Sequence, residues 1–112
     1  MRFLMYKLDD ETKPFPQLDE AQQQAMQEVA GDAAKAGVLV MNSGIAPSAT
    51  GVKITVASGD VSVTDGPFAE AKEMVGGFGV LECRDQDEAV EWAKRFQAAA
   101  GDGEMRVRQL YG

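Results

Sequence analysis

FLMYKL (residues 3–8) and VLVM (residues 38–41) decide how this chain folds, because neither leaves room for a wet side. Only Lys7 interrupts them. Each is of strand length and bounded by breakers: Asp9-Asp10-Glu11 and Pro14-Phe15-Pro16 after the first, Asn42-Ser43-Gly44 and Pro47 after the second. An antiparallel sheet with one solvated face should alternate apolar and polar residues, and these runs do not. Both faces of the sheet therefore need cover. Helices can supply one cover. The simplest second cover is another copy of the same chain, face to face, in a two-fold dimer whose sheets enclose a shared core or paired pockets.

Working outward, Asp19 and Gln22 make a capping-box pattern. Ala21, Ala25, Val29, Ala33 and Ala36 follow at helical spacing until Gly37, so a helix is expected from about Glu20 to Ala36. Val52, Ile54 and Val56 alternate with Lys53 and Thr55, and Val61 and Val63 with Ser62 and Thr64, around Ser58-Gly59-Asp60: a hairpin. Phe78 to Cys83 is the next strand. Asp85 and Glu88 repeat the capping-box pattern before Ala89, Trp92, Ala93 and Phe96, a second helical stripe that Gly101 and Gly103 end. Met105, Val107 and Leu110, interleaved with Arg106 and Arg108, close the chain as a last strand. With the hairpin set aside as an insertion, the order is βαββαβ: an α+β, ferredoxin-like fold with two helices on one face of a four-stranded antiparallel sheet.

Composition narrows the function classes. With 112 residues, 45% hydrophobic, the chain suits one domain over residues 1–112 with a modest core. Its net charge of −7 argues against nucleic acid and anionic lipid as partners. No apolar run approaches the roughly 20 residues of a membrane-spanning helix, and the N-terminus lacks an export signal. One cysteine, Cys83, and no histidine fit a reducing, cytoplasmic setting.

Thr64-Asp65-Gly66-Pro67-Phe68-Ala69-Glu70, with Lys72-Glu73, Gly76-Gly77-Phe78 and the segment 88–94, resembles the DGPF-domain proteins of the YCII-related family. Ala36 to Leu39, Gly44 to Ser48 and Val107-Arg108 extend the resemblance over nearly the whole chain. It implies a dimeric α+β barrel. It also implies a contextual link to extracytoplasmic-function sigma factor pathways, since many members are encoded near or fused to such factors. Two departures stand out. Some YCII-related proteins are thought to use a histidine and aspartate pair, and this chain has no histidine; the family's usual proline after the last-strand arginine is Gln109 here.

Residue by residue, two readings stay open. Asp65, Gly66 and Pro67 are either a turn, with Asp65 satisfying nearby amides, or a loop at the barrel mouth in which Asp65 orients a ligand or acts as general base and Phe68 forms an apolar wall. Arg106 and Arg108 share one face of the last strand. They either clamp a carboxylate or phosphate, or pair with Asp65 or Glu82 across an interface. Tyr6 adds a hydroxyl to the same cleft or is ordinary core, and Ser48 is a contact at the pocket rim or a solvated loop serine. Asp9-Asp10-Glu11 reads as solvated surface, Cys83 as a structural thiol, and Gly76, Gly77 and Gly79 as strand glycines serving close packing or a bulge. No metal, flavin or nicotinamide cofactor is indicated. The expected function is a small-molecule-binding or regulatory domain working as a homodimer with its ligand pocket at the dimer cleft; the alternative is a cofactor-free enzyme acting on a small anionic or carbonyl-bearing substrate, with Asp65 as acid/base.

Overall fold

The computed structural model describes residues 1–10, 17–68 and 74–112. Pro14-Phe15-Pro16, Glu70, Lys72 and Glu73 lie outside the described residues. The elements run β1 (Arg2–Asp9), α1 (Glu20–Lys35), β2 (Leu39–Gly44), β3 (Val52–Ala57), β4 (Asp60–Asp65), β5 (Met74–Glu82), α2 (Gln86–Ala100) and β6 (Glu104–Gln109). Strands β2-β5-β1-β6 form one sheet in that order, and β3-β4 form a separate ribbon. All pairings within both are antiparallel. With the β3-β4 insertion removed, this is the ferredoxin-like split βαβ arrangement expected from the sequence.

The helices start where their caps dictate. The Asp19 carboxylate accepts the Gln22 amide at 2.7 Å, and the Gln22 side chain accepts the Asp19 amide at 2.9 Å, closing a full capping box. At α2 only half of that device forms. Asp85 accepts the Glu88 amide at 2.9 Å, whereas the Glu88 carboxylate reaches one residue further back, to the Arg84 amide and guanidinium.

Phe3, Met5, Val29, Ala33, Leu81, Ala89 and Phe96 build the core between helices and sheet, with Met105 and Val107 packed against it. The expected stripe of α1 is shorter than its spacing suggested: Ala25, Val29 and Ala33 face inward, while Ala21 and Ala36 at its ends are exposed. Arg95 ties the two helices together, bonding Asp32 at 2.6 Å and lying over the Trp92 ring.

Three boundaries differ from expectation for one reason. Strand β2 continues through Asn42-Ser43-Gly44, and β5 begins at Met74, not Phe78, because these segments pair with each other: Asn42 with Gly79, Ser43 with Phe78, Gly44 with Gly77. Ladder hydrogen bonds between strands outweigh the weak strand propensity of glycine and asparagine. Likewise β1 runs on to Asp9, which is not solvated surface. Its side chain is only 10% exposed, accepts Lys7 Nζ at 2.7 Å, and packs so closely on Gly76 that no β-carbon would fit there. A bulge between Lys7 and Leu8 makes that approach possible.

Candidate functional site

Strand alternation puts Phe3 and Met5 under the helices and turns Leu4 and Tyr6 to the opposite face. Cross-strand register extends that face sideways. Leu4 lies beside Arg108 and Val80, and Tyr6 beside Arg106 and Phe78. The helices do not cover this side of the sheet. A concavity of about 720 Å³ opens on it, lined by Leu4, Tyr6, Ile45, Phe78, Arg108 and Tyr111 among others. Its lining is mostly apolar and aromatic, with Tyr6, Arg108, Gln109 and Tyr111 carrying its polar groups.

The two arginines differ electrostatically. Arg106 bonds the Glu104 carboxylate at 2.7 Å, an intrastrand pair two residues apart. Arg108 has no ion-pair partner among the described residues. Within the chain, Glu82 faces the N-terminal ammonium at 3.5 Å and Arg2 at 4.0 Å. A guanidinium left unpaired beside an apolar surface in a chain of net charge −7 is a local positive centre with bidentate geometry for a carboxylate or phosphate.

The residues of the DGPF stretch gather elsewhere. Gly66 donates its amide to the Gly51 carbonyl at 2.9 Å, and the Phe68 amide reaches the Ser48 hydroxyl at 3.4 Å. Pro47 to Gly51 form a tight turn in which the Thr50 amide and hydroxyl both bond the Pro47 carbonyl. The Gly66–Pro67 peptide is cis. Ser48 is not a solvated loop serine: it is buried at 6% exposure and anchors the DGPF loop on this turn. The turn reading of Gly66 and Pro67 thus has a concrete partner. Asp65, at the end of β4 opposite Val52, is exposed. None of Ser48, Asp65, Gly66, Pro67 and Phe68 lines the concavity that Tyr6 and Arg108 share.

Ile45, Phe78 and Tyr111 joined the lining unannounced by the sequence; Ile45 arrives because its amide bonds the Gly76 carbonyl, carrying the chain past the end of β2 along the sheet. Cys83 is buried, and burial together with the neighbouring Glu88 carboxylate pushes its thiol up to about 11. It is a structural thiol. Among the described residues no three His, Cys, Asp or Glu side chains cluster to hold a metal ion, and no helix is long and apolar enough to cross a membrane.

Comparison with known proteins gives the family. The YCII-related domain matches residues 1–111. The chain belongs to the YCII-related family. An uncharacterised protein of Rhizobium meliloti is 34% identical over 80 residues, 69% of this chain and 64% of that relative, so the similarity spans about two thirds of either protein. Among solved structures, the 5-chloro-2-hydroxyhydroquinone dehydrochlorinase of Burkholderia phenoliruptrix, in complex with 2,5-dihydroxybenzoquinone, aligns with 99% of this YCII-related chain and 94% of its own at 18% identity and a TM-score of 0.44.

Proposed function

We propose that this YCII-related chain is a small-molecule-binding or regulatory module that works as a homodimer, two copies meeting across their open sheet faces and holding an anionic ligand in the cleft between them. The observation that carries this reading is Arg108, with no ion-pair partner among the described residues, sharing a mostly apolar concavity with Tyr6. Pockets that bind small molecules have this composition, mostly hydrophobic with a few placed polar groups. The guanidinium would take the ligand's carboxylate or phosphate, Tyr6 would add a hydroxyl contact, and the rings of Phe78 and Tyr111 would contact its apolar part. Asp65 stands outside the concavity of its own chain, so nothing within one chain favours it as the acid/base of an enzyme.

The test is calorimetry with benzoate, succinate and inorganic phosphate, run beside size-exclusion chromatography with light scattering. Expected are a dimer mass and saturable binding of at least one anion, weakened about 10-fold or more in Arg108→Ala. Absence of binding by all three, or affinity indifferent to Arg108→Ala, overturns the ligand reading; a monomer overturns the dimer.

A further inference from the structure

The β3-β4 ribbon has an apolar face that no described residue covers. Register pairs Val52 with Asp65, Ile54 with Val63 and Val56 with Val61, so these six side chains share one side, while Lys53, Thr55, Ser62 and Thr64 take the other. All five aliphatic residues are exposed, Ile54 at 64% and Val61 at 67%. The turn at Ser58 and Gly59, both with positive φ, is the tight type that keeps such a ribbon in register. Two strands alone are marginal in water and need something to pack against. Among the described residues this ribbon is bonded into no larger sheet, and the molecule is a slab of 46 × 36 × 17 Å.

We infer that the ribbon is an arm whose aliphatic face packs on the open sheet face of a second copy of this chain, placing Asp65 of one copy against Arg108 of the other. Two features select a second copy over an unrelated partner. The chain itself presents the complementary surface: the open sheet face has Leu4, Met41 and Ile45 in or beside it, the last two exposed at 50% and 40%. In a two-fold dimer each such contact occurs twice. A stable interface takes roughly 800 Å² per partner, more than a five-residue patch supplies, so the ribbon contact adds to the face-to-face contact of the two sheets and does not replace it. Charge completes the match. Asp65 ends the ribbon's aliphatic face with no ion-pair partner among the described residues, and Arg108 is equally unpaired on the sheet face, in a chain whose net charge of −7 otherwise repels its own copy. Arg108 would then be shared, some of its five N–H donors taken by Asp65 of the other copy and the rest left for the ligand's anionic group, so that the cleft is incomplete in one chain.

This inference rests on the dimer proposed above, and its test separates the two. Dimer dissociation is measured by sedimentation equilibrium for the wild-type chain, for Ile54→Asp/Val63→Asp, for Asp65→Arg, for Arg108→Asp and for Asp65→Arg/Arg108→Asp, with circular dichroism as the folding check. The expected result is a wild-type dimer, a dissociation constant raised about 100-fold by the two aspartates in the ribbon and about 10-fold by either charge reversal, and recovery in the paired reversal. A dimer indifferent to Ile54→Asp/Val63→Asp overturns the arm while leaving the face-to-face dimer standing. Failure of the paired reversal to recover overturns the Asp65–Arg108 contact, and that comparison still decides if the aspartate variant unfolds. A wild-type monomer overturns both.

Discussion

Gly66 lies so close to Ser48 that a β-carbon at position 66 would stand 1.7 Å from the Ser48 carbonyl oxygen. That distance is far inside contact, and the obstacle is backbone, which cannot swing aside as a side chain can. The glycine of the DGPF stretch is therefore needed for packing: it lets the chain leaving β4 press on the turn that follows β2.

Gly66→Ala is expected to destabilise the protein by about 1–3 kcal/mol or more, because the loop must detach from the Pro47–Gly51 turn to admit the methyl group. Gly31, in the middle of α1, has nothing within 4 Å of its β-carbon position, so Gly31→Ala should raise stability by roughly 0.5–1 kcal/mol. Urea denaturation of the two variants beside wild type measures both, and equal effects would contradict the geometry.

The two helix caps should differ in what their partner residues contribute. Asp19 takes part in a reciprocal box, Asp85 in a single capping bond. Asp19→Ala and Asp85→Ala should each lose about 1 kcal/mol. Gln22→Ala should add a further loss at α1. Glu88→Ala should not act through the α2 cap, since its carboxylate bonds Arg84 and not the capping residue. Chemical denaturation of the four variants distinguishes these outcomes.

Cys83 predicts a pH dependence of definite sign. Burial, with help from Glu88, holds the folded thiol at about 11 against an ordinary 9.0, so the unfolded chain ionises first. Stability contributed by this group is intact below pH 9 and is lost as pH rises from there towards 11, by roughly 2 kcal/mol at the upper end. Comparing wild type with Cys83→Ala across that range should show the steeper fall in wild type. Maleimide labelling of the native protein at pH 7 should be slow and should accelerate on adding denaturant.

Arg95→Ala should lower stability by about 0.5–1.5 kcal/mol. The substitution loses an exposed ion pair with Asp32 and a cation–π contact with Trp92 at 5.0 Å. The ion-pair share should shrink in high salt while the ring contact persists, so thermal melts at low and high ionic strength separate the two.

Much of this fold is legible in the sequence because local patterns carry it. The Asp19–Gln22 box, the Val52 to Val63 alternation and the glycines after each helix report elements directly. Where reading failed, it failed at polar or glycine-rich strand ends: Asn42-Ser43-Gly44 looks like a stop and Gly76-Gly77 like a strand entry, yet the two pair across the sheet. Asp9 looks like solvated surface because its neighbours are acidic, but a bulge and Gly76 draw it inward onto Lys7. The candidate residues divide in the same way. Strand periodicity places Arg106 and Arg108 on one face, and register agrees; Tyr6, open between cleft and core in the sequence, falls beside Arg106 only through that register. Ser48 was missed as a buried anchor because no local signal marks a serine that bonds an amide twenty residues away.

Periodicity and capping act within a few residues, so the order and type of the elements, their caps and the excess of apolar surface on both faces of the sheet are written along the chain. The folded chain alone reveals that Tyr6 and Arg108 share a concavity with Ile45 and Tyr111, that the DGPF loop is seated on Ser48 away from it, and that the β3-β4 ribbon holds its aliphatic face clear of its own sheet. Those relations join residues far apart in the chain, and strand pairing and packing set them.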